Sequence, residues 1–301
     1  MMTSKFKGTG VAIVTPFRKD KSIDFKSLEK LIRHLLDNKI EYLVVLGTTG
    51  ESVTLGKDEK RAVIDFVIEQ VQGKVPIVAG FGGNNTQEVI NTLKSNHFDG
   101  IDGILSVCPY YNKPTQEGIY EHYKTIAAAS PVPVILYNVP GRTGVNMCPE
   151  TVLKLAHDSS KIIAVKEASG NLDQITRIIR DKPEGFQVIS GDDGMIIPLV
   201  ASGGAGVISV AANAFPLEIS TLTRLILNNE IEKAREINDM FLDIFPLLFE
   251  EGNPAGVKAF LKTMGITDNY LRLPLTPVSK QLQGQIVKIY KDFKFNPKKY
   301  E

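Results

Sequence analysis

The chain has 301 residues, of which 43% are hydrophobic and 23% are charged, and its formal net charge is +1. This composition is typical of a soluble globular enzyme, and a net charge near zero argues against binding to nucleic acid or to an anionic membrane surface. The length is sufficient for one large α/β barrel or for two modest domains.

Eight short apolar runs alternate with segments of helical periodicity, beginning near the N-terminus. In the segment 25–36, for example, Leu28, Leu31, Ile32 and Leu35 share one helical face. The segments 57–71 and 171–179 follow the same pattern, and Asp24 and Asn171 are candidate N-caps. The predicted strands are residues 10–16, 42–46, 76–81, 103–107, 132–137, 162–165, 186–190 and 206–210.

Strict alternation of strands and helices predicts parallel strands joined by right-handed crossovers. Eight such units fit an α/β fold of the (β/α)8 TIM barrel type. The alternative is an open, doubly wound sheet, which usually carries GxGxxG after its first strand. Here Gly8-Thr9-Gly10 precedes the predicted first strand, so we favour the barrel.

The pattern changes to helices only from about residue 229 onward. The segments 230–248, 254–264 and 279–293 are amphipathic, and Pro274 and Pro277 interrupt the chain between the last two. We therefore predict a catalytic barrel over residues 1–229 and a C-terminal α-helical extension over residues 230–301.

Cysteine, histidine and terminal patterns indicate a cytoplasmic protein without a metal site. The two cysteines, Cys108 and Cys148, fit neither a disulfide framework nor a thiolate metal site. The first ten residues have no apolar core of signal-peptide length, and no run of about 18 apolar residues occurs. The four histidines lie in or beside predicted helices, at no spacing typical of metal ligands: His34, His97, His122 and His157.

The apolar run 162–165 leads directly to Lys166. A buried ammonium without a partner is costly, so such a group shifts its pKa and tends to become neutral. A neutral lysine amine is a nucleophile for a carbonyl carbon, with which it forms a Schiff base. The structural alternative is an ion pair with a neighbouring carboxylate such as Glu167, because structural networks also perturb pKa values.

The active site of a parallel barrel lies at the carboxyl ends of its strands, where further polar groups of this chain collect. Threonines between glycines are suited to binding a carboxylate, and an arginine binds one bidentately. Each group also has an ordinary structural role: tyrosines anchor rims, Arg142 can form a surface salt bridge, and Asp192-Asp193 fits a helix N-cap pair better than a functional site. The groups that follow the predicted strands are Thr48, Thr49, Tyr110, Tyr111, Tyr137, Arg142, Gly191, Asp192, Asp193, Ile208 and Ser209.

Four motifs resemble the dihydrodipicolinate synthase (4-hydroxy-tetrahydrodipicolinate synthase) family, which belongs with N-acetylneuraminate lyase to the pyruvate-dependent class I aldolases. They are GTTGES (47–52), PYYNKP (109–114), YNVPGRTG (137–144) and IIAVKEASG (162–170). The resemblance covers essentially the whole chain. Arg142 is its most selective mark, because the sugar-acid lyases of the group typically lack an arginine at that position.

The resemblance implies a lyase of lysine and diaminopimelate biosynthesis that condenses pyruvate with L-aspartate 4-semialdehyde. It implies no cofactor other than the imine between Lys166 and pyruvate. Tyr137 would be the proton shuttle, linked through Thr48 to Tyr111, which would reach into the site of a neighbouring subunit in a homodimer or homotetramer. Thr49 would bind the pyruvate carboxylate and Arg142 that of the semialdehyde, with Gly191 and Ile208 lining the pocket.

The chemistry of these residue types agrees with the implied roles. A protonated imine withdraws electrons, so that the pyruvate methyl group can lose a proton and become an enamine. A tyrosine with a pKa near 10 is a poor base unless a relay supports it, which explains the presence of Thr48 and Tyr111 beside Tyr137. Two carboxylated substrates require two anion-binding points, which Thr48-Thr49 and Arg142 supply.

The resemblance also implies a candidate allosteric site for L-lysine. Sensitive bacterial members usually carry histidines where this chain has Lys57 and Lys60, and two added cations would repel a lysine ammonium. We therefore expect weak or absent feedback inhibition. The matching positions are Ser52, Val53, Lys57, Lys60, Asn84, Glu88 and Tyr110.

Three other functions are compatible with parts of the pattern. The first is a sugar-acid lyase of the same family, acting on N-acetylneuraminate or a keto-deoxy sugar acid, against which Arg142 argues. The second is a pyridoxal-phosphate enzyme, which would need a phosphate cradle after strands seven and eight. The third is a non-catalytic barrel that senses a small ligand, but a sensor has no use for a proton relay.

Overall fold

Eight parallel strands, β1 to β8 in chain order, form a closed barrel in which each strand pairs with its sequence neighbours and β8 pairs with β1. The structure is a computed structural model, and it describes residues 3–300. The predicted TIM barrel is therefore confirmed. The strands are β1 Gly8–Ala12, β2 Tyr42–Val45, β3 Ile77–Gly80, β4 Gly103–Val107, β5 Val134–Asn138, β6 Ile162–Glu167, β7 Gln187–Ser190 and β8 Gly206–Ser209.

Helices follow each strand and then continue alone to the C-terminus. Asp24 and Asn171 cap α1 and α7 as predicted, because their side chains accept hydrogen bonds from the backbone N–H groups of Ser27 (3.2 Å) and Gln174 (3.1 Å). The helices are α1 Phe25–Asp37, α2 Lys57–Val71, α3 Thr86–Lys94, α4 Gln116–Ala129, α5 Pro140–Thr143, α6 Pro149–Asp158, α7 Leu172–Asp181, α8 Ile196–Ala201, α9 Pro216–Leu227, α10 Ile231–Phe241, α11 Ile244–Leu247, α12 Ala255–Thr263 and α13 Lys280–Asp292.

The core has two layers, because barrel strands alternate side chains between the interior and the surrounding helices. Val44, Val78, Ile135 and Ile189 belong to the interior layer and are fully buried. Tyr42 fills the interior beside β1, where a Cβ on Gly10 would lie 2.2 Å from its ring. The interior is therefore packed, and open space for a ligand begins only at the ends of the strands.

The predicted boundaries differ from the structure at both ends of the chain. Residues 13–16, predicted as strand, lie beyond the end of β1 at Ala12: the Ile13 N–H still donates to the Val44 carbonyl (3.0 Å), but the Val14 N–H donates to the Asn213 side chain (3.0 Å). Gly8 and Gly10 lie within β1 and do not precede it. The predicted helix 230–248 is divided into α10 and α11, because Pro246 cannot continue the hydrogen-bond pattern of α10.

Aromatic rings join the C-terminal helices to the barrel. The ring of Phe215, just before α9, lies 5.3 Å from Phe241, 5.5 Å from Phe260 and 5.1 Å from Phe293, measured between centroids. The division into residues 1–229 and 230–301 stays a prediction, and residues 1, 2 and 301 of those ranges lie outside the described residues. Within residues 3–300, no helix combines the length and apolarity that a bilayer crossing needs.

Candidate active site

A cavity of about 460 Å³ opens at the carboxyl ends of the strands. Four of the polar groups predicted at the strand ends line it: Thr48 after β2, Tyr110 after β4, Tyr137 on β5 and Arg142 on α5. Apolar side chains such as Leu105 and Val139 form much of the remaining wall. Hydroxyl and guanidinium groups in a largely apolar wall are suited to a small, anionic ligand.

Lys166 lies on β6 and pairs in register with Tyr137 on β5 and Ile189 on β7. Its side chain is only 5% exposed, and Nζ lies 4.4 Å from the centre of the Tyr137 ring. A Cβ on Gly191 would lie 3.0 Å from Lys166 Cε, so the glycine leaves the lysine room. The amine is thus held against a tyrosine that faces the cavity, where a carbonyl compound could reach it.

The alternative role of Lys166, an ion pair with Glu167, is wrong. Successive residues of a strand point to opposite faces, so Glu167 faces the helices while Lys166 faces the interior. The buried Glu167 carboxylate accepts hydrogen bonds from the Asn138 amide (3.1 Å), the Gln174 amide (2.9 Å) and the Ser169 N–H (2.8 Å). Its hydrogen-bonding capacity is therefore taken up without the lysine.

The threonine pair forms a short 3-10 turn, Thr48–Gly50, directly after β2. The Thr15 hydroxyl fixes this turn by donating to the Gly50 carbonyl (2.7 Å). Thr48 lines the cavity, whereas Thr49 is buried and its Oγ1 accepts a hydrogen bond from the Asn253 amide (3.0 Å). The turn therefore presents one threonine to the cavity and ties the other to the C-terminal helices.

Tyr111 does not line this cavity. It is 88% exposed and has a φ of +73°, a left-handed conformation that costs a bulky residue roughly 1–3 kcal/mol. Its backbone N–H donates to the Thr143 carbonyl (3.3 Å), which ties this segment to the loop that carries Arg142. The single chain therefore brings two members of the predicted proton relay, Tyr137 and Thr48, to one cavity, but not the third, Tyr111.

Arg142 has no carboxylate partner among residues 3–300, so the surface salt bridge considered for it is wrong. It lies on the short helix α5, where its backbone N–H donates a hydrogen bond to the Val139 carbonyl (2.9 Å). The side chain is exposed and lines the cavity. Its guanidinium is free to bind a carboxylate from solution.

The other predicted positions fall at the same rim or beside it. Gly191 follows β7, and Ile208 is a buried residue of β8. Lys57, Lys60, Asn84, Glu88 and Tyr110 line a neighbouring cavity of about 230 Å³, and Ser52 and Val53 line the larger one.

Asp192 and Asp193 are not a capping pair. Asp192 caps the short turn that follows it by accepting from the Gly194 N–H (3.0 Å), as predicted. Asp193 is instead buried and accepts hydrogen bonds from the Ser209 hydroxyl and from the N–H groups of Val210 (3.1 Å) and Ala211 (3.0 Å). It thereby fixes the end of β8, and burial raises its pKa to about 6.

The raised pKa of Asp193 predicts a pH-dependent contribution to stability. Because its folded pKa of about 6 exceeds the ordinary value of 3.8, the folded state binds more protons between these values, and stability is lost as the pH rises through them. The Asp193→Asn variant cannot titrate. We expect the free energy of unfolding of the wild type, relative to Asp193→Asn, to fall by on the order of 3 kcal/mol between about pH 4 and pH 6. Urea titrations across this range measure the difference, and a constant difference would contradict the prediction.

Sequence reasoning missed two residues near the site, Asn253 and Lys258. Lys258 interrupts the apolar segment 255–261, a signal that resembles the one at Lys166, and its side chain is completely buried against Glu51. Asn253 gave no signal, because its contact with Thr49 joins residues that are remote in the sequence. Among residues 3–300, no group of three or more histidine, cysteine or acidic side chains is placed to bind a metal ion.

A buried lysine on β6 lies beside a tyrosine ring, and the cavity that this tyrosine lines also carries an arginine with no carboxylate partner among the described residues. This arrangement defines a class: the (β/α)8 enzymes that act on carbonyl substrates through a lysine imine. The chain belongs to the dihydrodipicolinate synthetase family, whose sequence model matches residues 5–293. The family predicted from the four motifs is thereby confirmed.

Relatives with known names and structures agree with this membership. The 4-hydroxy-tetrahydrodipicolinate synthase of Parabacteroides distasonis is 54% identical over 92% of this chain and 93% of its own length. The crystal structure of dihydrodipicolinate synthase from Aquifex aeolicus superposes with a TM-score of 0.92 at 41% identity, covering 95% of this chain and 98% of that one. The lysine-bound enzyme of Cyanidioschyzon merolae gives a TM-score of 0.91 at 40% identity, covering 95% and 97%.

Proposed function

We propose that the chain is a 4-hydroxy-tetrahydrodipicolinate synthase, a class I aldolase-type lyase that condenses pyruvate with L-aspartate 4-semialdehyde in lysine and diaminopimelate biosynthesis. The observation that carries this proposal is the buried Lys166 amine, 4.4 Å from the centre of the ring of Tyr137, which lines the same cavity as Arg142. A carbonyl-reactive amine and a free guanidinium are the two groups that this substrate pair requires.

The reaction begins when the Lys166 amine attacks the ketone carbon of pyruvate. The resulting carbinolamine loses water and becomes a protonated imine, which supplies the electron sink without any added cofactor. The Tyr137 hydroxyl moves protons to and from the reacting atoms, since its ring lies beside the Lys166 amine. Thr48, at the same cavity, connects Tyr137 to Tyr111 of a second copy of the chain.

The imine then makes the pyruvate methyl group acidic, and loss of its proton gives an enamine. The enamine carbon attacks the aldehyde carbon of the semialdehyde, so a C–C bond forms and the aldehyde oxygen takes up a proton. The semialdehyde amine next attacks the imine carbon, which closes the ring and releases Lys166. One water is lost over the cycle, because the pyruvate C=O becomes a C=N in the product.

Two carboxylates are bound at two different places in this scheme. Thr49, on the turn whose Thr48 lines the cavity, binds that of pyruvate, and Arg142 binds that of the semialdehyde at the rim. Gly191 and Ile208 line the pocket around the pyruvate with their backbone carbonyls. The exposed side chain of Arg142 has no competing carboxylate among the described residues, which supports its role in recognising the second substrate.

The active form is proposed to be a homodimer or a homotetramer built as a dimer of dimers. Tyr111 and Val53 are 88% and 83% exposed, so both side chains are accessible to a second copy of the chain. A second subunit would bring its Tyr111 to the relay. We further propose a cytoplasmic enzyme whose partners are its two substrates and its own copies, with no nucleic acid or membrane, and with a catalytic barrel over residues 1–229.

The direct test compares condensation with cleavage. Purified enzyme is given pyruvate and L-aspartate 4-semialdehyde, and product formation is followed through a coupled reductase. In parallel, release of pyruvate from N-acetylneuraminate and keto-deoxy sugar acids is measured. Condensation without cleavage is expected. Cleavage without condensation would show that the protein is instead a sugar-acid lyase. Binding of a ligand without either reaction would favour the non-catalytic sensor.

Inhibition by L-lysine is expected to be weak. Lys57 and Lys60 line the 230 Å³ cavity that would take the ligand, and each repels an added ammonium by roughly 1 kcal/mol at contact distance in water. Sub-millimolar L-lysine should leave turnover nearly unchanged, and the Lys57→His variant should be more sensitive. Steady-state rates at increasing L-lysine, with D-lysine as the control, measure the inhibition. Strong inhibition of the wild type by sub-millimolar L-lysine would contradict the prediction.

A further inference from the structure

Three hydrogen bonds from the C-terminal part of the chain fix the threonine turn Thr48–Gly50 and Glu51, the residue that follows it. Asn253 donates to Thr49 Oγ1 (3.0 Å), Lys258 Nζ donates to Glu51 (2.5 Å), and the backbone N–H of Arg272 donates to the other Glu51 oxygen (3.1 Å). All three donors lie more than 200 positions further along the chain. The geometry of the turn therefore depends on the helical extension.

The Lys258–Glu51 pair fixes the end of the turn. Both side chains are completely buried, and Glu51 has a left-handed φ of +52°. Lys258 Nζ also donates to the Tyr270 carbonyl (2.9 Å) and lies 4.4 Å from the centre of the Phe17 ring. A buried carboxylate without its cation would be strongly destabilised, so this pair keeps Glu51, and with it the turn, in one place.

The Asn253 amide fixes the direction of the Thr49 hydroxyl. A threonine hydroxyl has one proton to donate and two lone pairs that accept. Because Asn253 Nδ2 donates to Thr49 Oγ1, the threonine is the acceptor in this contact. In the described part of the chain the Thr49 hydroxyl proton has no acceptor of its own, so it remains available for an anion.

The Asn253 side chain is buried, and only the NH₂ end of its amide has a hydrogen-bond partner among the described residues. The residue is 7% exposed, and its Oδ1 has no hydrogen-bond partner among the described residues. A buried amide oxygen without a partner costs free energy. The amide nevertheless presents its NH₂ group to the threonine, which is the orientation that leaves the hydroxyl free to donate.

We propose that Asn253 is a positioning residue that holds the Thr49 hydroxyl as a hydrogen-bond donor to the pyruvate carboxylate. This inference rests on the proposed function, in which Thr49 binds that carboxylate. Asn253 itself acts only through Thr49. The helical extension thus contributes to substrate recognition through a side chain that follows α11 and precedes α12.

The test measures the pyruvate concentration that half-saturates borohydride trapping on Lys166, in the full chain and in its variants. Asn253→Asp keeps the shape of the side chain but replaces the NH₂ donor by an acceptor, which would turn the Thr49 proton away from the substrate. Asn253→Ala removes the donor and the acceptor together. Asn228→Asp makes the same charge change at an exposed position outside the site and serves as the matched control.

The expected result is a rise in the half-saturating pyruvate concentration of at least about tenfold for Asn253→Asp, with a smaller rise for Asn253→Ala and none for Asn228→Asp. A hydrogen bond to a charged carboxylate is stronger than one between neutral groups, so its loss should be clearly measurable. In a Thr49→Val background, Asn253→Asp should have a much smaller effect. The KM for the semialdehyde should stay within about twofold, which a general loss of structure would not produce.

Two results would overturn the inference. If Asn253→Asp had the same half-saturating pyruvate concentration as the wild type, residue 253 would be an acceptor of the Thr49 proton and not a donor to its oxygen. A larger effect of Asn253→Ala than of Asn253→Asp, with matching losses in thermal stability and in semialdehyde KM, would mean that Asn253 only fills space. Absence of trapping in the wild type at any pyruvate concentration would instead contradict the proposed function, before any variant is compared.

Discussion

Replacement of Lys166 by alanine is expected to lower kcat at least about a thousandfold, which corresponds to about 4 kcal/mol of transition-state free energy. The reason is that no other amine can form the imine at this position: Lys166 Nζ lies 4.4 Å from the centre of the Tyr137 ring, and Lys258, which is also buried, pairs with Glu51. Without the imine, the pyruvate methyl group has no electron sink. Steady-state kinetics with both substrates measure the loss.

The control for this prediction separates chemistry from folding. Lys166 has no ion-pair partner among residues 3–300, so its removal leaves no buried carboxylate unpaired, and thermal unfolding of Lys166→Ala should stay close to that of the wild type. Lys166→Arg keeps the positive charge without a nucleophilic amine and should be as inactive as the alanine variant. Turnover within tenfold of the wild type in a folded Lys166→Ala protein would rule out covalent catalysis by this lysine.

Arg142→Ala is expected to raise the KM for L-aspartate 4-semialdehyde on the order of 10- to 100-fold and to lower kcat, because a charged hydrogen bond to a carboxylate contributes about 1.5–3 kcal/mol. Arg142 is exposed on α5, at the rim of the cavity. Imine formation between pyruvate and Lys166 should therefore be unchanged. Initial rates at varied semialdehyde, together with borohydride trapping by pyruvate alone, separate the two effects.

Arg142→Lys provides the matched comparison, since it retains the charge and loses the planar, bidentate geometry. It should fall between the wild type and Arg142→Ala in semialdehyde KM. If Arg142→Ala abolished trapping of pyruvate while the protein remained folded, the arginine would belong to the first substrate and the assignment of two separate anion-binding points would be wrong.

The barrel could be predicted because its signals are local. Each strand is a short apolar run followed by a helix of regular periodicity, and parallel strands need that order. The boundaries that failed depend on distant partners or on one residue. The strand pairing of β1 does not continue at Val14, because the Val14 N–H donates to the Asn213 side chain. The helix α10 ends at Phe241, because Pro246 has no N–H with which to continue the helical hydrogen bonds.

The site was predictable to the extent that strand ends converge on one rim. Thr48, Tyr137 and Arg142 line one cavity as expected, with Lys166 beside Tyr137. Contacts between remote segments were not predictable. The carboxylate of Asp193 was expected at a helix cap but is buried against the end of β8.

The orientation of Glu167 and the role of Asn253 were missed for related reasons. The alternation of strand faces could have separated Glu167 from Lys166, once the strand was extended through both residues. No local pattern could have placed Asn253 beside Thr49, because the two belong to opposite ends of the chain and meet only in the folded protein.

The most direct test of this account is borohydride reduction in the presence of pyruvate, followed by intact-mass and peptide mass spectrometry. The account predicts one reduced pyruvyl adduct per chain, located on Lys166 and absent from Lys166→Ala. Peptide mapping matters because Lys258 is a second buried lysine, whose pKa burial lowers to about 8. An adduct on Lys258, or no adduct in the folded wild-type protein, would contradict the Schiff-base mechanism at Lys166.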